Sequence, residues 1–169
     1  MQKAILTAYK PPIGELRDPS EDEKRGDLDL CYNPTQLTLV KETQWARHSA
    51  RLAPHTSVPE FLGSQPKVLT MPVLLEEPSP KKGANDDDKP PTTIVDDEIK
   101  KLIKWCEPDE DAQKANQSSP PWLRLSWGGV STVRFWMVLK KVSVQYTRFS
   151  EDGRVLRAHC ELVMEEVGI

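Results

Sequence analysis

Three histidines and three cysteines are the side chains in this sequence best suited to hold a metal or act as nucleophiles. Their spacing argues against both. No two of His48, His55, His159, Cys31, Cys106 and Cys160 stand at the separations that close a zinc finger or ribbon. His159 and Cys160 are neighbours in a β-patterned stretch, so their side chains point to opposite faces. Thiols far apart and in no CxxC arrangement fit small core residues in a reducing compartment. The run Asn85-Asp86-Asp87-Asp88 lacks the alternating ligands, central Gly and terminal Glu of a calcium loop, and reads as a solvated acidic stretch. There is no Gly-x-Ser-x-Gly elbow. Gly128-Gly129 has neither the longer glycine pattern nor the following lysine of a phosphate cradle. No catalytic set, metal or cofactor is expected. Trp122, Trp127, Phe135 and Trp136 could stack on nucleobases. A net charge of -3 offers no general basic face for phosphates, so packing explains these rings more simply, and no nucleic-acid partner is expected.

The elements that would position any function centre on residues 120–166. Leu123, Leu125 and Trp127 recur at period two and Gly128-Gly129 ends the run, as in a strand followed by a turn. From Thr132 to Phe149 the chain has no Gly or Pro and is rich in β-formers. Read as one strand, these roughly 18 residues would extend about 60 Å. Val133, Phe135, Met137 and Leu139 are odd-numbered, whereas Val142, Val144 and Tyr146 are even-numbered. The buried face therefore changes sides near Lys140-Lys141, which predicts a β-bulge there.

The return strand, Arg154 to Val167, places Leu156, Ala158, Cys160, Leu162 and Met164 on one face and Arg157, His159, Glu161 and Glu165 on the other. Pairing even with even requires a three-residue loop, Glu151-Asp152-Gly153, with Gly153 left-handed. That loop sets Tyr146 opposite Ala158, Val144 opposite Cys160 and Val142 opposite Leu162. Arg157, His159, Glu161 and Glu165 beside Ser143, Gln145 and Thr147 then form a wet face, suited to solvent or to the wall of an aqueous channel.

Upstream, Ala4 to Tyr9 reads as a short strand ended by Pro11-Pro12. Residues 17–25 read as a solvated connector. A strand follows Gly26 with Leu28, Leu30 and Tyr32 inward, and Asn33-Pro34-Thr35 makes a turn. Leu37 to Trp45 reads as one strand with two mixed faces, which suits a subunit contact. Residues 46–60 read as a polar connector, after which Phe61-Leu62-Gly63 re-enters the core. Lys67 to Glu77 alternates Leu69, Met71, Val73 and Leu75, with Pro72 requiring an edge or a bulge. Residues 78–91 are a low-complexity connector. A helix follows, capped by Thr92 or Thr93, with one stripe of Val95, Ile99, Leu102 and Ile103. Residues 107–120 read as a polar loop.

The order of elements gives an α+β class, mainly antiparallel, in a single domain spanning 1–169. No run approaches the length of a membrane helix, so no membrane insertion is expected. The short apolar run Ala4-Ile5-Leu6 is too brief for a signal peptide, so assembly in the cytoplasm is expected.

Several of these pieces together resemble a known family. They are Ala4-Ile5-Leu6, Leu30-x-Tyr32-Asn33-Pro34-Thr35, Lys41 with Trp45, Phe61-x-Gly63, and the helix after an Asp-rich stretch. Pro120-Pro121, Leu123-x-Leu125-x-Trp127-Gly128, Tyr146, Phe149, Asp152-Gly153 and Arg157-Ala158 to Glu165 complete the set. In this order and spacing the chain resembles the contractile injection system tube proteins, of the tube-initiator or hub-adaptor type found in the baseplates of phage-tail-like particles.

The resemblance implies a tail-tube-like fold of two packed sheets forming a β-barrel, with one helix and a long β-hairpin. It implies six copies in a ring that joins the spike to the inner tube and contacts other baseplate components. Thr132, Arg134, Trp136, Lys141, Ser143, Gln145, Arg157, His159, Glu161 and Glu165 become interface or barrel candidates. Asn33, Pro34, Trp45, Trp127, Gly128 and Gly153 become structural positions. Related adaptors often continue into a LysM-like domain. Here the sequence stops at Ile169, so peripheral anchoring is expected from another protein. The main inner-tube subunit, which shares the fold, is the alternative; a single-stranded nucleic-acid-binding module is a more distant one.

Overall fold

The long hairpin forms with the expected register. In a computed structural model, which describes residues 3–49, 57–78 and 93–168, β8 (Met137–Phe149) pairs antiparallel with β9 (Val155–Glu166). Tyr146 stands opposite Ala158, Val144 opposite Cys160 and Val142 opposite Leu162. Ser150 N–H donates to the Arg154 carbonyl at 2.9 Å, and Gly153 takes φ 83°, the left-handed conformation its turn position requires. Leu139 pairs with Met164 and Lys141 with Val163, which leaves Lys140 as the extra residue of a bulge. Met137 and Leu139 are thereby buried on the same side as Ala158, Cys160, Leu162 and Met164.

The strand is shorter than the β-rich sequence suggests. A 3₁₀ turn occupies Ser131–Val133, so Thr132, Arg134 and Trp136 precede the strand and do not belong to it.

Around the hairpin lies one antiparallel sheet of seven strands in the order β2-β1-β7-β8-β9-β6-β3. β1 is Ile5–Tyr9, β2 Lys24–Asp29, β3 Thr38–Val40, β6 Val68–Glu76 and β7 Trp122–Ser126. β6 buries Leu69, Met71, Val73 and Leu75. β3 pairs with it only from Val68 to Thr70, so Pro72 lies where β6 has an open edge, as its missing N–H demands.

One face of the sheet carries α1 (Ile94–Lys104), which packs on β6, β8 and β9 through the buried Val95, Ile99 and Leu102. Thr93 caps it by accepting from Asp96 N–H at 3.2 Å. On the opposite face Tyr9, Trp122 and Trp136 form a smaller core.

Several expectations are corrected. The chain is mostly antiparallel β, consistent with α+β, with two helices where one was expected; within the single chain no sheet of the described residues is closed into a barrel. The second sheet is a two-stranded ribbon, β4 (Thr43–Ser49) with β5 (Ser57–Ser64). Leu37 to Trp45 is therefore divided between β3 and β4. The connector expected over 46–60 is strand at both ends, and residues 50–56 lie outside the described residues. Phe61 and Leu62 do not re-enter the core, being more than half exposed. Tyr32 is exposed and hydrogen-bonds Glu76 at 2.9 Å, while Ile103 is half exposed.

The stretch 17–25 contains a 3₁₀ turn (Glu21–Glu23), with Ser20 and Glu23 forming a reciprocal capping box. The stretch 107–120 contains α2 (Glu110–Lys114), with Ala112 buried. His55, Asn85 to Asp88 and residues 79–91 of the acidic connector lie outside the described residues.

Candidate assembly surfaces

The face of β6, β8 and β9 away from α1 is a set of cross-strand rows. From one end, Glu76 pairs with Arg157, Leu74 with His159, Pro72 with Glu161, Thr70 with Val163 and Val68 with Glu165. β8 continues these rows with Gln145 opposite His159, Ser143 opposite Glu161 and Lys141 opposite Val163. Seven of the ten candidates, Lys141, Ser143, Gln145, Arg157, His159, Glu161 and Glu165, therefore share one face. Period-two alternation puts them there, because Ala158, Cys160, Leu162 and Met164 are committed to the core.

Much of the charge on this surface is matched within the chain. Arg157 holds the Glu76 carboxylate through Nε at 2.9 Å and through a second guanidinium nitrogen. That hydrogen bonding, followed by the Tyr32 hydroxyl, keeps the Glu76 carboxyl below the usual range. Lys140 approaches Glu165 at 3.3 Å. At the end of the other face, Lys67 reaches Glu166 at 2.6 Å and lowers that carboxyl as well.

The other three candidates lie elsewhere. Arg134 donates to the Gly128 carbonyl at 2.8 Å, tying together a turn in which Gly128 has φ 48°. Thr132 is exposed on the 3₁₀ turn. Trp136 is only 9% exposed; it meets Tyr9 edge to face and donates its indole N–H to Asp18 at 2.6 Å. Arg124 stacks 5.3 Å from its ring. Trp122 is buried in the same cluster, Trp127 packs on the main core, and the Lys67 ammonium sits 4.8 Å from the Phe135 ring. The rings considered for base stacking are thus engaged in packing.

Among the structural positions, Asn33 Oδ1 accepts from Ala4 N–H at 2.9 Å and Pro34 is buried. Trp45 is not a core residue, since it projects from the ribbon.

Burial pushes the Cys160 thiol up to about 11, which makes it a packing group and a poor nucleophile. Among the described residues no three His, Cys, Asp or Glu side chains gather as a metal site. Also among the described residues, no helix is long and apolar enough to cross a membrane.

Sequence reasoning missed the ribbon. Its available signal was parity: Val58 and Phe61, three apart in one strand, must face opposite ways, which a strand lying on a core does not favour.

Among the described residues the sheet has two open edges and the ribbon has exposed apolar rings, features of a β-rich subunit that completes its contacts in an assembly. The family comparison says which assembly. Residues 1–168 match the model of the contractile injection system tube protein, and the chain belongs to that family, a structural tail-tube component of a contractile injection system particle. A protein of this kind assembles with itself and with other tail components. No curated protein matches the sequence.

Proposed function

We propose that this chain forms a homohexameric adaptor ring between the spike and baseplate hub and the inner tube, and that it works without catalysis. The observation that carries the reading is the open seven-stranded sheet, with an edge at β2, an edge at β3 and a polar face turned away from α1. Closing such a sheet between neighbours removes both edges, and a closed barrel then has one face outside and one lining its bore. The rows from Arg157 to Glu165 and Lys141 to Gln145 would line that bore. α1 on the opposite face would lie outside it.

The ring would be assembled in the cytoplasm and would transmit force from the contracting sheath as a static part of the conduit. Inner-tube protein, spike protein and other baseplate components are its partners in this reading.

The test is quantitative mass spectrometry of sheathed particles, comparing this chain with the sheath subunit. About six copies per particle fits one ring. Many copies would make the chain the main tube subunit, which shares the fold, and absence from the particles would end the structural reading.

A further inference from the structure

The β4–β5 ribbon is a sheet of its own, joined covalently to the seven-stranded one at two places. Lys41 and Glu42 lead from β3 to β4, and Gln65, Pro66 and Lys67 lead from β5 to β6. The joints are unequal in length, and Pro66 has no N–H with which to continue a ladder through them. A backbone bond crosses between them, from Gln65 N–H to the Glu42 carbonyl at 2.9 Å. A two-stranded ribbon is marginal by itself in water, and backbone joints of this kind fix its direction weakly.

The side chains at the joints converge on one carboxylate. Glu166, the last residue of β9, accepts from the Lys67 backbone N–H at 3.0 Å through one oxygen and from Lys67 Nζ at 2.6 Å through the other. Its own N–H donates to the Lys67 carbonyl at 2.8 Å. The oxygen that takes the backbone N–H also faces Lys41 Nζ at 3.8 Å, and that ammonium donates to the Gln65 carbonyl at 2.6 Å. One carboxylate therefore reaches a residue of each joint, and Lys41 ties the two joints together.

The side chains of Glu166, Lys67 and Lys41 are 22%, 35% and 44% exposed. Ion pairs this wet add little to the stability of a fold. Charge-assisted hydrogen bonds across a soft joint can still restrict its angle, because they are short and directional.

We propose that Glu166 is a positioning residue: by holding Lys67 and Lys41 together it fixes the direction in which the ribbon leaves the sheet. The ribbon exposes Trp45, Val58, Phe61 and Leu62, so that direction decides where these side chains are presented. Glu165, the preceding residue, lies on the other face and pairs with Lys140, away from the joints. The clamp acts within one chain, whether or not six copies close a ring. From Ser64 to Val58 is roughly 20 Å of strand, so a swing of about 20° at the joints moves Val58 by roughly 7 Å.

The test places spin labels at Val58→Cys in the ribbon and Ser126→Cys in β7, both exposed positions, in the full chain with Cys31→Ser and Cys106→Ser. Cys160 is buried and stays unlabelled. Labelled chains are diluted into unlabelled ones, so that pulsed electron spin resonance reads distances within a chain. With Glu166 intact one narrow distance is expected. Glu166→Ala is expected to shift or broaden it by roughly 7 Å while the urea midpoint changes little. Lys67→Met keeps the backbone N–H and an apolar side chain beside Phe135 but loses the ammonium, and is expected to broaden the distance less. If Glu166→Ala fails to fold, Lys67→Met decides alone. Glu165→Ala removes a salt bridge from the other face and is expected to leave the distance unchanged. Distances unaffected by Glu166→Ala and Lys67→Met, or broadened equally by Glu165→Ala, would overturn the positioning role.

Discussion

Removal of the Asp109 carboxylate is expected to unfasten α2 and lower stability by about 2 kcal/mol. The side chain is almost fully buried and serves two groups at once. It caps α2 by accepting from Asp111 N–H at 3.0 Å and Ala112 N–H at 3.4 Å. It also receives the Arg25 guanidinium of β2 through Nε at 2.9 Å and a second nitrogen at 3.1 Å. Loss of an N-cap costs about 1 kcal/mol. The charge-assisted pair would add more in a fully buried site, but the Arg25 side chain is 35% exposed, so about 1 kcal/mol is assigned to it.

Asp109→Asn keeps an oxygen for the cap and loses the charge, so it is expected to cost about half as much as Asp109→Ala. Arg25→Ala should cost less in the Asp109→Ala background than in the parent, because the Arg25–Asp109 pair is shared by the two changes and only the exposed Arg25–Asp111 contact at 2.7 Å is left to lose. Urea unfolding followed by tryptophan fluorescence measures these differences, and amide exchange in Glu110–Lys114 localises them. A loss below about 0.5 kcal/mol for Asp109→Ala, or equal losses for Ala and Asn, would refute the division between cap and ion pair.

Leu162→Ala, at a fully buried position in β9, is expected to cost about 3 kcal/mol in the same unfolding assay. Deleting Lys140 removes the bulge and forces either Met137 and Leu139 or Val142 and Val144 onto the polar face; loss of cooperative unfolding is expected. Glu23 is held at about 2, against an ordinary 4.5, chiefly by hydrogen bonds from Arg17 and from the Ser20 backbone. Its contribution is fully present above about 4.5 and is lost as pH falls through about 2. The difference in melting temperature between the parent and Glu23→Gln should therefore be constant near neutrality and shrink across that acid window.

The hairpin was legible because two independent signals agreed. The parity of Val142, Val144 and Leu162 demanded one register, and Gly153 supplied the turn that delivers it. The bulge at Lys140 followed from the same parity. The start of β8 was misjudged because β-propensity in 132–136 yields to tertiary packing: Val133 and Trp136 are buried from a turn, in different cores.

α2 left little trace, since it is five residues long and Ala112 is its buried anchor. The ribbon was hidden for a different reason. Phe61-Leu62 looks like core in any sequence, and whether its surroundings are water, its own chain or a neighbour is decided by contacts that no local pattern encodes. Of the candidate face, strand alternation identified seven residues, while Thr132, Arg134 and Trp136 were carried along by a strand that ends short of them.

The open side of β6 bears on the time before assembly. β3 covers only three residues of it, and farther along Pro72 has no N–H to offer an incoming strand. A stray β-segment could dock there over only a short, interrupted ladder, so edge-to-edge aggregation finds little purchase. That protection is confined to this stretch of β6, since β2 at the far side of the sheet keeps its own edge.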